Sequence, residues 1–253
     1  MEKLSVVIIT LNEERNLGRC LESVRSVADE ILVVDSCSAD RTAEIARSFG
    51  ARVIEQPFLG HIEQKNFAAD HATYNWVLSL DADEALTPEL EQSIRNALSE
   101  PAADAYKMNR LTNYCGKWVR HSGWYPDRKA RLWDRRKGRW GGQNPHDKWE
   151  LSTGSNYGKL RGDLLHYSYY TLSEHLKQIE KFTEIAARAS VKEGKDCSVF
   201  KVIFGGWWKF IHSYFIKLGF LDGYTGFLVC TFSAYSSFAK YAKIRQYNRS
   251  DTR

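Results

Sequence analysis

Four times in its first hundred residues the chain passes from a short β-branched run into a longer segment of helical period. Leu4-Ser5-Val6-Val7-Ile8-Ile9-Thr10 is nearly continuous, as in a strand covered on both faces, and Arg15 to Val27 then places Leu17, Cys20, Leu21 and Val24 on one helical face. Ile31 to Val34 predicts a second strand, and Asp40-Arg41-Thr42 opens a helix that Gly50 closes. Ala51 to Ile54 and His61 to His71 repeat the pair. Trp76 to Leu80 leads to a helix whose cap, first-position proline and acidic first turn are Thr87-Pro88-Glu89. This alternation predicts an α/β fold with a mostly parallel sheet flanked by helices, because parallel neighbours need a crossover that returns over a face of the sheet.

In such a sheet ligands bind beyond the carboxyl ends of the strands, so the residues that follow each strand matter most. Three of these ends carry acids: Thr10-Leu11-Asn12-Glu13, Asp35-Ser36-Cys37-Ser38 and Asp81-Ala82-Asp83-Glu84. If the fourth strand continued, Asp81 and Asp83 would converge on one point. Their repulsion would be relieved by a divalent metal, Mg²⁺ or Mn²⁺, that also takes diphosphate oxygens. A polar turn capping a helix is the plainer reading of D-x-D; its place after Val77-Leu78-Ser79-Leu80 favours the metal. Asp35 serves equally as a turn acid or a helix cap, and with Thr10 and Asn12 it forms a pocket for a base or ribose. Neither a G-x-G-x-x-G run nor a P-loop occurs, so a diphosphate must be held by metal and basic side chains.

After Pro101 the rhythm changes. Ala105 to Asn109 and Ala130 to Trp133 read as strands, and the Gly-, Trp- and Arg-rich stretch between them is expected to be a substrate-facing loop. From Lys107 to Arg139 there are eleven Lys or Arg against Asp127 and Asp134, which predicts an anionic partner. Trp118, Trp124, Trp133, Trp140 and Trp149 lie among or beside these charges, and a merely solubilising surface does not explain them. Single-stranded nucleic acid and a phosphorylated sugar on a lipid suit the stretch equally.

From Thr171 onward the pattern is helical, with Leu172, His175, Ile179, Phe182 and Ala186 spaced for a buried stripe. Val199 to Tyr247 is rich in Trp, Phe and Tyr, yet Lys, His212 and Asp222 recur before a run reaches the roughly 18 to 20 apolar residues that a spanning helix needs. Amphipathic helices lying in a membrane interface are expected there. The division expected is a catalytic domain over 1–170 and a helical region over 171–253. Five scattered cysteines predict neither a disulfide framework nor a zinc site. The short apolar run Leu4 to Leu11, without a basic region or cleavage site, predicts a cytoplasmic protein, which the interfacial helices would associate peripherally with the inner membrane.

The runs Leu4 to Glu13, Ile31 to Ser36 with Ser38, Asp40 and Thr42, and Asp81 to Glu84 resemble glycosyltransferase family 2, inverting enzymes with a nucleotide-sugar-binding (GT-A type) fold. Arg120-His121-Ser122-Gly123-Trp124-Tyr125-Pro126-Asp127-Arg128, Arg131-Leu132 and Gly219-Phe220-Leu221-Asp222-Gly223 are similar to its lipopolysaccharide core β-glucosyltransferase branch. The resemblance implies that Asp35 contacts the uracil or ribose, that Thr10, Asn12 and Glu13 line the nucleotide pocket, that Asp81 contacts the nucleotide and that Asp83 binds the metal. Gln64, Lys65 and Asn66 stand where the family has a basic or amide contact to the nucleotide; Lys65 reads equally as solvated helix surface. Asn144-Pro145-His146-Asp147 matches the loop that supplies the catalytic base, with Asp147 as base and His146 as its orienter or as the base itself. Arg120, His121, Trp124, Tyr125, Asp127 and Arg128 are the implied acceptor-binding set. The resemblance favours the phosphorylated sugar over nucleic acid, so no nucleic-acid partner is expected.

The expectation is therefore an inverting, metal-dependent transfer of a sugar, glucose from UDP-glucose, to a lipid-linked saccharide. A sugar nucleotidyltransferase would carry a Gly-rich basic loop where Asn12-Glu13-Glu14 stands. A membrane-docked scaffold that binds nucleotide without turnover is the non-enzymatic alternative.

Overall fold

The four β-branched runs become parallel strands: β1 (Leu4–Thr10), β2 (Glu30–Asp35), β3 (Arg52–Glu55) and β4 (Trp76–Asp81). Between them run α1 (Leu17–Val24), α2 (Thr42–Ser48) and α3 (His61–Asp70); the short β5 (Glu84–Leu86) and then α4 (Pro88–Ser99) follow β4. A computed structural model of the protein describes residues 1–143 and 146–250, the side chains of 143, 146, 147 and 250 excepted.

The spatial order is β3-β2-β1-β4, so β1 has β2 on one side and β4 on the other. Thr10 lies opposite Asp35 and Ile9 opposite Asp81. That reversal of order beside β1 opens the crevice in which ligands of α/β sheets bind. The other half of the sheet is antiparallel. It is built from β6 (Ala105–Tyr114), β7 (Lys117–Val119), β8 (Asp127–Asp134) and β11 (Tyr157–Tyr169), and the strand path continues from β4 as β8-β6-β11-β5, with β7 beside β6. β9 (Gly138–Gln143) and β10 (His146–Leu151) form a separate two-stranded sheet. The stretch expected as a loop between two strands thus holds β7 and the ends of β6 and β8, and β5, β9, β10 and β11 are four further strands beyond those the sequence predicts.

Alternation along β1 serves two cores. Leu4, Val6 and Ile8 pack with Leu17, Cys20, Leu21 and Val24 of α1 and with Leu90, Ile94 and Leu98 of α4. Val7 faces the other way, toward Ala68 of α3 and toward Trp133, Trp140 and Trp149. Trp133 and Trp149 stack with ring centroids 3.9 Å apart. These three tryptophans, expected beside a partner, are core residues, each contributing roughly 3 to 5 kcal/mol against alanine.

The chain forms two compact units: Met1–Leu111 with Asp127–Tyr167, and Thr112–Pro126 with Ser168–Arg253. The excursion 112–126 therefore joins the helical unit, whereas the sequence places it in a continuous 1–170 domain. In that second unit lie α5 (Leu172–Lys192), α6 (Val199–Ile211) and α7 (Gly223–Ser250). Thr171 and Glu174 form a reciprocal capping box at the start of α5. Its buried stripe is His175, Ile179, Thr183 and Ala187, with Leu172 and Phe182 exposed, so the expected stripe holds at its centre and shifts at both ends.

Candidate active site

β4 ends at Asp81, and a tight turn through Ala82 and Asp83 leads into β5. The two carboxylates consequently do not converge as a continued strand would make them; each meets different partners. Asp81 accepts from Arg131 Nη2 at 2.6 Å and lies 3.3 Å from Lys65 Nζ. Burial alone would raise its pKa, but Arg131 and then Lys65 hold its carboxyl well below the usual range. Asp83 faces His166, with Oδ2 3.2 Å from Nε2.

Lys65 is not solvated surface. It is buried in α3, with its ammonium 4.6 Å from the Trp140 ring centroid and beside Asp81. Its neighbour Gln64 donates to Ser36 Oγ and to the Gln56 carbonyl, while Asn66 Nδ2 donates to the Trp140 carbonyl and Asn66 Oδ1 accepts from the Trp140 N–H. Arg131, on β8, is buried and also reaches Glu84 Oε1 at 2.7 Å. Burial opposes its charge; Asp81 and Glu84 outweigh burial and keep the guanidinium protonated. Arg110 on β6 lies 3.5 Å from Glu84 and 2.7 Å from Asp127, so one chain of alternating charge runs from Lys65 to Asp127.

Across the crevice, Thr10 Oγ1 donates to Asp35 Oδ1 at 2.8 Å, and the Ser38 hydroxyl and backbone N–H also donate to Asp35. Ser38 Oγ accepts from the Asn12 N–H, and Asn12 Oδ1 accepts from the Ala39 N–H. Asn12 takes a left-handed conformation, φ +54°, which its short polar side chain tolerates. Glu13 accepts from Asn16. Burial raises its pKa, and Asp83, Asp40 and Asp81 add to the rise, which marks excess negative potential at this end of the sheet.

The residues of the acceptor-binding set are divided between the two units. Asp127 belongs to the sheet unit, held by Arg110 and by Lys129 at 3.2 Å; burial raises its pKa, and these cations bring it below the ordinary value. Arg128 is exposed on β8. Arg120, His121, Trp124 and Tyr125 belong to the helical unit. There Asp222 accepts from His121 Nδ1 at 2.9 Å and from the backbone N–H groups of Arg120 and His121. Arg120 lies 5.8 Å from the Tyr125 ring centroid. Trp124 is half-buried in an aromatic cluster with Tyr114, Tyr169 and His175. The side chains of His146 and Asp147, the implied base pair, lie outside the described residues; their backbones start β10.

The glycosyl transferase family 2 profile matches residues 5–156. The chain belongs to this family. It is 32% identical to an uncharacterized glycosyltransferase of Rickettsia typhi, over 97% of this chain and 88% of that one. It is also 32% identical to the lipopolysaccharide core biosynthesis glycosyltransferase LpsC of Rhizobium meliloti, over 96% of this chain and 92% of that one. The crystal structure of S. aureus TarS 1–349 superposes over 98% of this chain and 92% of that one with a TM-score of 0.48 at 14% identity, a likeness too slight to bear on function.

For this family 2 glycosyltransferase the fold is the GT-A type, and the protein is an enzyme. Among the described residues no group of three or more His, Cys, Asp or Glu is placed to hold a metal. The carboxylate and imidazole of Asp83 and His166 nevertheless fit a divalent ion that takes most of its ligands from a diphosphate and water. Burial is the main cause of the raised Glu13 pKa, but Asp83 adds to it, and an ion at Asp83 would offset that contribution. His166 is absent from the sequence-derived site because its link to Asp83 is long-range: β11 pairs antiparallel with β5, setting His166 opposite Glu84. Arg110 is missed for the same reason, and Glu84, legible only as part of the acidic run after β4, gains Arg131 and Arg110 as partners the same way.

Proposed function

We propose that the protein is an inverting, metal-dependent glycosyltransferase that moves a sugar, glucose from UDP-glucose, onto a lipid-linked saccharide such as a lipopolysaccharide core. The observation that carries this reading is the unequal treatment of the two aspartates. Asp81 is neutralised by Arg131 and Lys65, so it serves as a fixed hydrogen-bond acceptor for the donor's nucleoside. Asp83, with His166, is the pair that would hold the metal. A divalent metal there supplies charge stabilisation for the departing nucleoside diphosphate.

The chain's own residues do the rest. Thr10, Asn12, Glu13 and Asp35 line the nucleoside side of the crevice, and Lys65 adds positive charge near Asp81. The Asp147 carboxylate, with His146 beside it in sequence, takes the proton from the acceptor hydroxyl. That oxygen bonds to the anomeric carbon as the bond from this carbon to the diphosphate oxygen breaks on the opposite face, inverting the centre. Arg120, His121, Trp124, Tyr125, Asp127 and Arg128 bind the acceptor. The role of LpsC in lipopolysaccharide core biosynthesis supports the acceptor class, and the exposed apolar side chains of α6 and α7 support a cytoplasmic enzyme working peripherally on the inner membrane.

The test is release of nucleoside diphosphate from a panel of UDP- and GDP-sugars, with and without Mn²⁺, in the presence of lipopolysaccharide core acceptor. Acceptor-dependent UDP release from UDP-glucose that requires the metal supports the reading. Full activity in EDTA removes the metal from it, and turnover with GDP-sugars alone replaces the donor.

A further inference from the structure

The outward side of the helical unit exposes more large apolar surface than solubility explains. α6 reads VFKVIFGGWWKFI, and of its thirteen residues only Gly206 is fully buried. Phe200, Ile203, Trp207 and Trp208 are 68%, 56%, 61% and 57% exposed. Lys201 and Lys209 are its only charged residues, and so apolar a helix belongs against a core or against lipid. Along α7, Tyr224, Phe227, Tyr235 and Phe238 are exposed as well, and with Thr231 they recur every three or four residues on one face.

The two helices approach closely because α6 carries Gly205-Gly206 at the contact. A Cβ on Gly206 would sit 3.0 Å from the Ala234 carbonyl oxygen and 3.2 Å from Phe238 Cβ. Between them runs an open groove of about 390 Å³, lined by Ile203, Gly206, Trp207, Phe210, Ala234 and Phe238 among others. Its floor is small residues and its walls are aromatic, a shape that admits a slender apolar chain.

We propose that this groove and the aromatic face around it take acyl chains of an anionic bilayer leaflet, so that α6 and α7 lie in the membrane interface without crossing it. The proposal deepens the reading of a membrane-working transferase and rests on it. Charge selects the occupant. Residues 199–250 contain seven Lys or Arg, of which Lys243 is paired with Glu180 and Glu184 of α5, and a single acid, Asp222, which is engaged by His121. An anionic leaflet gains about 1 kcal/mol for each basic side chain near its surface. A second copy of the chain would instead bring two like-charged faces together.

Among the described residues no single helix is long and apolar enough to cross a membrane. The segments Val199–Ile216 and Gly219–Arg249 are long and apolar enough only when taken together, and they meet at a 73° bend, where Leu218 has φ +56°. The bend is fastened to the excursion 112–126: the Ser122 N–H donates to the Lys217 carbonyl at 3.0 Å, and Asp222 holds Arg120 and His121 as described above. Seating these helices in lipid therefore also fixes Arg120 and His121 relative to the bilayer.

The experiment uses the full chain and needs no sugar donor. Wild type and the W207D/F238D variant are compared by co-sedimentation with phosphatidylcholine vesicles, plain or enriched in phosphatidylglycerol, and by quenching of tryptophan fluorescence with lipids brominated along the acyl chain. Both substituted side chains are exposed, so helix content and elution volume should be unchanged. Wild type should bind the anionic vesicles and be quenched, and the variant should bind about tenfold or more weakly with less quenching. Equal binding by the variant, binding without quenching, or a wild-type dimer that the variant dissociates would each overturn the proposal. Failure of the transferase reading appears separately, as absence of UDP release with a soluble acceptor saccharide.

Discussion

At the carboxyl end of β4 charged groups are buried and matched: Arg131 and Glu84 are almost wholly enclosed, and each meets an opposite charge within 2.7 Å. Along α6 the reverse holds, with apolar groups exposed and unmatched, Trp207 and Trp208 among them. Both arrangements oppose the stability of an isolated chain in water. The first costs desolvation, which only paired geometry recovers; the second forgoes burial, which only another apolar phase supplies. Each unit departs from an ordinary fold where its proposed ligand would sit: a charged nucleotide in one, a lipid surface in the other.

Unpairing the buried charges should have the largest effect. Arg131→Met should leave Asp81 and Glu84 without their shared cation and cost about 3 to 5 kcal/mol in urea unfolding, whereas Trp208→Ser on the exposed face should leave stability nearly unchanged. Equal effects would mean that the charge chain is not a structural unit. Asp83→Asn should lower kcat/KM by about a hundredfold or more and weaken Mn²⁺ binding by calorimetry, with the melting temperature kept, since this carboxylate is partly exposed and not needed for the fold.

Acid separates the units more gently. His175 is buried and its pKa is depressed to about 4, so the unfolded chain binds its proton first. Its contribution to the helical unit is complete above about pH 6.5 and is lost as pH falls toward 4, at no more than about 1.4 kcal/mol per pH unit. The carboxyl of Asp81, held low by Arg131, loses its contribution only in stronger acid. Hydrogen exchange between pH 7 and about 5 should therefore loosen α5 before the β1–β4 strands, and His175→Gln should remove that difference. The smallest contrast concerns helix caps. Thr171→Ala should cost about 1 kcal/mol. Thr87→Ala should cost about 2, because Thr87 Oγ1 serves Leu90 N and also bonds both backbone groups of Asp163; thermal melts of the two variants test the order.

How much of this was legible depended on whether the signal was local. The four parallel strands showed themselves because a strand covered on both faces must be apolar throughout, and Leu4 to Thr10 has that pattern. β11 hid because a half-exposed antiparallel strand mixes residue types: Tyr157 to Tyr169 includes Gly158, Lys159, Arg161, Gly162 and Asp163. D-x-D after β4 was readable as a candidate metal site, yet its two acids could not be given different partners without knowing the turn at Ala82 and Asp83. Lys65 illustrates the same limit, since helical period cannot say that an ammonium will be buried between an aspartate and a tryptophan ring.

By itself, the sequence determined the α/β alternation, the acids at the carboxyl ends of β1, β2 and β4, and the aromatic, basic character of the last fifty residues. Those properties depend on residues a few positions apart, where periodicity and capping act. Tertiary structure alone decided that Arg131 and Lys65 hold Asp81, that His166 faces Asp83, that Trp133, Trp140 and Trp149 close a core, and that the 112–126 excursion fastens to the bend after α6. Each joins residues from distant strands or helices, and which distant elements pair is settled by total burial and hydrogen bonding across the molecule, which no short window of sequence contains.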